Sequence, residues 1–151
     1  LAVVGKAGWG LNGFDRVLRQ HPESGKRFLW IEGASDEYLD QIYEAVTCLI
    51  VASKGEGFGL PLIEAAQKEL PIIARDIPVF REVAGGHALY FDGEEADSLA
   101  RAIQTWLKLH STGTVPPSTG ISWMTWRQSA EQVKNVIFGG AWYERWQPVC
   151  A

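Results

Sequence analysis

The sequence predicts an α/β fold: a Rossmann-like, mostly parallel sheet with helices on both faces. Three observations predict it. Short, mostly apolar runs recur at residues 1–4, 27–31, 48–52, 71–74 and 88–91, as strands buried on both faces of a sheet require. Stretches with helical periodicity separate them, so strand and helix alternate along the chain. Glycine, proline and aspartate stand at the joints, where the backbone must turn. In open sheets of this kind ligands bind beyond the carboxyl ends of the strands.

Each element has its own signal. Residues 1–4 (Leu-Ala-Val-Val) end at the glycines of 5–10, and Phe14, Val17 and Leu18 make a short helical stripe after Asn12-Gly13. Residues 21–25 carry loop chemistry, and the strand at 27–31 closes at Glu32-Gly33-Ala34. Ser35 is a good helix N-cap, with Asp36 and Glu37 in the first turn, where the helix dipole favours acids. Leu39, Ile42, Tyr43 and Val46 then follow the spacing of a core-facing stripe. After the strand at 48–52 comes a helix over 61–69, and Pro71 is tolerable as the first residue of the next strand. A short helix through Phe80 and Val83 stops at Gly85-Gly86. Asp92-Gly93 leads into about four turns with Leu99, Ile103 and Trp106 inward. Residues 111–120 are a loop. The last helix is expected from Ser122, with Trp126, Ala130, Val133 and Ile137 on one face, and Trp106 and Trp126 are expected in the core. Residues 139–151 read as a separate tail, with Trp142 and Trp146 either packed on the domain or covering an interdomain contact.

Composition bounds the function. With 151 residues, 46% hydrophobic and 21% charged, this is one ordinary globular domain. A net charge of −4 argues against a nucleic-acid partner, which needs a basic face. The two cysteines, Cys48 and Cys150, form neither a disulfide framework nor a metal spacing. No apolar run is long enough to span a bilayer. His21, His87 and His110 fall in loops or at element ends, without triad or metal spacing, and read as surface residues. The chain begins with Leu1 inside a strand-like run, which reads as a piece of a longer protein.

The stretch that carries chemistry is Ser53-Lys54-Gly55-Glu56-Gly57-Phe58-Gly59-Leu60-Pro61-Leu62-Ile63-Glu64. A buried strand, a glycine-rich turn and a helix opening at Pro61 place free amides and a positive dipole end near an anion. Either acid alone has an ordinary reading: Glu64 as a first-turn acid, Glu56 as a solvated loop acid beside Lys54. Two carboxylates around three glycines favour a ligand. Arg75 and Asp76, after a strand, either point to the site or pair with each other, with pairing the preferred reading, and Arg81-Glu82 read as residues that hold the short helix.

Residues 55–65 resemble the sugar-nucleotide motif of the C-terminal half of GT-B fold retaining glycosyltransferases, most closely glycosyltransferase family 4. Two glutamates separated by seven residues around a glycine-rich turn are that family's signature, and Glu56 and Glu64 have this spacing. Val3 to Trp9, Ser35 to Leu39, Tyr43 to Ala45 and Pro71 to Gly85 resemble its flanking segments, so the likeness covers residues 1 to about 138. The resemblance implies a domain at 1–138 that binds a nucleotide diphosphate sugar as donor substrate, with no cofactor and no metal. It implies Glu56 as the catalytic candidate beside the donor sugar, and Glu64 on the ribose hydroxyls. Backbone of Gly57, Phe58, Gly59 and Leu60 would face the sugar and diphosphate. Gly33 and Ala34 would lie along the base, and Lys6 near the phosphates.

The family's first strand of this half, with the Arg and Lys that clamp the diphosphate, would precede Leu1, as would its N-terminal acceptor domain. The chain alone is therefore expected to be inactive. In a 3-2-1-4-5-6 strand order the strand expected before Leu1 is central, so strands 1–4 and 48–52 either pair directly, leave a gap for another chain, or make a marginal fold. The family implies surface-polysaccharide or lipopolysaccharide synthesis at the cytoplasmic membrane face, and a tail left exposed would make the isolated chain self-associate. Two other readings stay open: a non-catalytic nucleotide-binding module completed by a partner, and a sugar-nucleotide epimerase of the same architecture.

Overall fold

The computed structural model describes residues 1–7 and 13–142. Strands and helices alternate as predicted: β1 (Ala2–Val4), α1 (Phe14–Arg19), β2 (Leu29–Ile31), α2 (Asp36–Ala45), β3 (Leu49–Val51), α3 (Leu60–Gln67), β4 (Ile72–Arg75), α4 (Pro78–Ala84), β5 (Leu89–Phe91), α5 (Ala96–Ser111), a 3₁₀ turn at Ser118–Gly120 and α6 (Trp126–Gly139). All strand pairs are parallel. β4 lies between β3 and β5, with Ile50 opposite Ile73 and Ala74 opposite Tyr90. β1 pairs β2 in a separate ladder, Val3 opposite Trp30. The direct pairing of the 1–4 and 48–52 strands that the sequence left open does not occur, because β1 and β3 belong to different sheets.

Side-chain alternation along the three-stranded sheet builds a core on each face. Ile72 and Ala74 pack with Val51, Leu62, Ala65, Ala66, Phe80 and Ala84 against α3 and α4. Ile73 and Phe91 point the other way, onto Ala102 and Trp106 of α5. Leu62, Ile72, Ile73 and Phe80 are fully buried, and each contributes about 1.5–3 kcal/mol of transfer free energy. The two-stranded half is thinner. Phe28 is its buried hydrophobic residue, while Leu1, Phe14, Val17 and Leu29 are exposed.

Local chemistry explains most boundaries. The Ser35 hydroxyl accepts from the Tyr38 amide at 3.3 Å, the predicted cap of α2. Where α3 ends, Glu69 itself takes the left-handed conformation, φ 55°, that a glycine usually fills. The last helix begins at Trp126 rather than Ser122, because Thr125 and Gln128 form a capping box. Its apolar face is uncovered: Trp126 is 86% exposed and Val133, Ile137 and Phe138 are exposed too. Trp126 is thus not a core residue, whereas Trp106 is, at 6% exposed. His87 is half-buried rather than on the surface, its Nδ1 3.0 Å from the Pro117 carbonyl and its ring against Gly120. Trp142 is exposed. Trp146 and the rest of the tail lie outside the described residues, as do residues 8–12 of the first loop.

Candidate functional site

The site is assembled where β3, β4 and β5 end. Arg75, the last residue of β4, donates to the Ala52 carbonyl at 3.0 and 3.2 Å and to the Ser53 carbonyl at 3.2 Å. It also donates to the Gly93 carbonyl and lies 5.0 Å over the Phe91 ring. One guanidinium thus ties together the ends of all three strands. Lys54 pairs with Glu94 across the same edge and holds its carboxyl below the usual range. The sequence reading of an Arg75–Asp76 pair changes here. Arg75 binds backbone carbonyls rather than Asp76, which instead makes a two-point pair with Arg81. Lys54 pairs with Glu94 rather than Glu56.

Beyond Ser53 the loop opens to solvent. Glu56 is exposed, its Oε1 accepting from the Ser53 hydroxyl at 2.7 Å. Gly57 and Phe58 are exposed and Gly59 is buried, with φ 91° and ψ 44° at the N-cap of α3. A Cβ on Gly59 would stand 3.1 Å from two carbons of the buried Phe80 ring. Leu60 and Pro61 open the helix, so the amides of 58–60 lie at its positive end, where an anion is favoured.

Glu64, one turn further, has a different setting. It is half-buried and its Oε2 accepts from the Tyr43 hydroxyl at 2.8 Å. Burial first, and the Glu64 carboxylate second, push the Tyr43 phenol well above its ordinary range, so it remains a donor. Glu64 and Tyr43 line a cleft of about 180 Å³ between α2 and α3, with Asp36, Leu39, Asp40 and Lys68. Lys68 tethers the two helices, 2.7 Å from Asp40 and 2.9 Å from Glu44. Acids in the cleft suit hydroxyl donors, and the amide-rich turn suits an anion. Together the two regions offer acceptors for hydroxyls and donors for an anion.

Glu64 shares its cleft with Asp36, the first residue of α2, whereas Gly33 and Ala34 do not line it. Gly33 is exposed and Ala34 half-buried just before the Ser35 cap. Lys6 is exposed after β1, and among the described residues no hydrogen bond or ion pair ties it to the 53–64 loop. Sequence reasoning missed the role of Tyr43, and it weighed Arg75 for the site but preferred its pairing with Asp76. Tyr43 sits on the core stripe of α2, and its signal was the hydroxyl, which a buried tyrosine must satisfy. Arg75 carried no separate signal, since a strand-end arginine reads equally as a surface ion pair.

Comparison with known proteins gives a consistent picture. The family model described as glycosyl transferases group 1 matches residues 2–114. The serotype-specific mannosyltransferase WbdA of Escherichia coli is 51% identical over 131 residues, which are 87% of this chain and 16% of that protein. O-antigen chain mannosyltransferase B of E. coli is 29% identical over 141 residues, 89% of this chain and 36% of that protein. The chain thus spans well under half the length of these relatives. Among solved structures, sucrose-phosphate synthase from Thermosynechococcus elongatus superposes with a TM-score of 0.71 at 22% identity, covering 93% of this chain and 39% of that one. Anabaena HepE, in complex with UDP and glucose, gives 0.64 at 18% identity, over 91% and 40%. At those identities the likeness concerns the fold.

Proposed function

Because the chain belongs to the glycosyl transferases group 1 family, we propose that it is the donor-binding part of a retaining mannosyltransferase of the family 4 type, acting in O-antigen synthesis. Its donor is a nucleotide diphosphate mannose. The observation that carries this reading is the contrast between two acids eight positions apart. Glu56 stands in the open turn and Glu64 in the wall of a cleft, with the N-terminus of α3 between them. A ligand with hydroxyls at both ends and an anionic middle fits that order, and a sugar diphosphonucleoside is such a ligand.

In this reading Glu64 accepts the ribose hydroxyls and Glu56 accepts hydroxyls of the transferred sugar. The amides of Phe58, Gly59 and Leu60, with the helix dipole, stabilise the charge that develops on the departing diphosphate. The bond from the anomeric carbon to the diphosphate breaks and the bond to the acceptor oxygen forms on the same face. The acceptor proton passes to the leaving phosphate, so no protein nucleophile is required. Gly33 and Ala34 lie along the base and Lys6 near the phosphates. Arg75 and Lys54 are already engaged, so further cations for the diphosphate come from polypeptide outside these 151 residues, as does the acceptor site. The isolated chain is accordingly inactive.

The test is transfer of labelled mannose by the full-length protein. Glu64→Ala is expected to raise the donor KM about tenfold or more, the scale of a lost charge-assisted hydrogen bond. Glu56→Gln is expected to lower kcat. Unchanged kcat and KM in both variants overturns the assignment, and measurable transfer by the isolated chain overturns its proposed inactivity. Fractionation of the full-length protein reads the membrane-face location expected from the sequence, and sedimentation of the isolated chain reads its self-association.

A further inference from the structure

We propose that Tyr43 is a positioning residue for Glu64: its hydroxyl fixes the carboxylate so that the cleft between α2 and α3 selects a nucleotide with free vicinal ribose hydroxyls. The proposal rests on the donor-site reading of Glu64 given above and adds a specificity-determining residue to it.

The packing role of position 43 needs only an aromatic ring; Tyr43 lies on the edge of the core with Val46 and Ile63. The hydroxyl is additional, and it ends on Glu64 Oε2 at 2.8 Å. Glu64, in the second turn of α3, has three side-chain torsions and is only half-buried. Fixing one of its oxygens removes most of that freedom before a ligand arrives, which is how preorganisation raises affinity. Burial keeps the phenol protonated, so Tyr43 only donates and leaves the remaining lone pairs of the carboxylate to a ligand.

The rest of the cleft states what that ligand offers. Asp36, Asp40 and Glu64 line it together, and its lysine, Lys68, is held by Asp40 and Glu44. A phosphate meets like charge there. A pair of adjacent hydroxyls meets a fixed two-oxygen acceptor, and a nucleotide lacking them leaves that acceptor unpaired, which sites of this kind reject strongly.

The experiment is calorimetry on the full-length protein with a ribonucleoside diphosphate and its 2′,3′-dideoxy counterpart, beside thermal melts of every variant. Wild type should prefer the ribonucleotide, and Glu64→Ala should abolish the preference; Glu64→Gln serves if the alanine variant does not fold. Tyr43→Phe should weaken the ribonucleotide about three- to tenfold, leave the dideoxynucleotide unchanged, and add nothing on top of Glu64→Ala. If Glu64→Ala keeps the preference, the ribose reading of Glu64 fails and Tyr43 falls with it. If Glu64→Ala loses the preference but Tyr43→Phe keeps it, or weakens both nucleotides equally while lowering Tm, the proposal for Tyr43 is overturned and Glu64 stands.

Discussion

Gly57 and Gly59 look alike in the sequence, and the structure predicts opposite outcomes for them. Gly59→Ala meets two costs. Its backbone, at φ 91° and ψ 44°, is left-handed, which strains an L-residue by about 1–2 kcal/mol. Its new methyl would stand 3.1 Å from two carbons of Phe80, a ring with no accessible surface and so little room to retreat. Overpacking of that kind costs about 1–3 kcal/mol. Alanine recovers roughly 0.4–1 kcal/mol by restricting the unfolded chain, leaving a net loss of about 1–4.5 kcal/mol. For a domain of this size that is a fall in Tm of roughly 2–18 °C. A methyl on Gly57 meets open space at an ordinary φ, so Gly57→Ala should change stability by less than about 0.5 kcal/mol. Urea denaturation with matched thermal melts reads both. A Gly59→Ala protein within about 0.5 kcal/mol of wild type, or equal losses in the two variants, would refute the reasoning. With folding intact, Gly57→Ala also reports whether a ligand approaches the turn closely.

Three further outcomes follow from local geometry. Glu69 holds φ 55° at an exposed helix end, so Glu69→Gly should stabilise the fold by about 1 kcal/mol, seen as a higher urea midpoint at unchanged slope. Burial pushes the Cys48 thiol up to about 12; in a Cys150→Ser background it should react with a thiol reagent near neutral pH far more slowly than a free cysteine, and at full speed in denaturant. Arg81 hydrogen-bonds Asp76 and holds its carboxyl below the ordinary 3.8. The folded-state value is depressed, so this contribution is present above 3.8 and lost as pH falls through the folded value. Asp76→Asn should therefore flatten the acid limb of stability in urea titrations between about pH 5 and 2, and an unchanged limb would remove the pair from the account.

The strands were legible because a buried parallel strand must be apolar throughout, and β3, β4 and β5 read as such. The Ser35 cap was legible because side chain and backbone lie three residues apart. The start of α6 was equally local, in Thr125 and Gln128, yet Ser122 drew the prediction as another plausible cap. Trp126 failed for a different reason. An apolar stripe announces that a face wants cover, not that the residues in hand provide it, and α6 stays uncovered. The pairings of Lys54, Arg75 and Asp76 were not legible, since each depends on which strand ends the topology brings together. The two candidate acids drew notice by their spacing around the glycine turn and by the family resemblance, but Tyr43 lies 21 positions from Glu64 and only the packing of α2 on α3 joins them.

That packing gives the candidate cleft two unlike walls. α3 is rooted in the core through Leu62, Ala65 and Ala66, and its loop is fixed by the Gly59 turn against Phe80. α2 buries no residue fully. Its ties to α3 are partial apolar packing of Tyr43 and Val46, the Tyr43–Glu64 hydrogen bond, and the pairs of Lys68 with Asp40 and Glu44. Such exposed pairs contribute about 0–1 kcal/mol each and weaken with salt. The wall that carries the acids of 36 and 40 is therefore the yielding one, and the Tyr43 hydroxyl couples it to the fixed wall at the atom a ligand would touch. That hydrogen bond therefore joins the two walls at the Glu64 carboxylate, beside the Lys68 pairs and the apolar packing that share the work of holding α2 against α3.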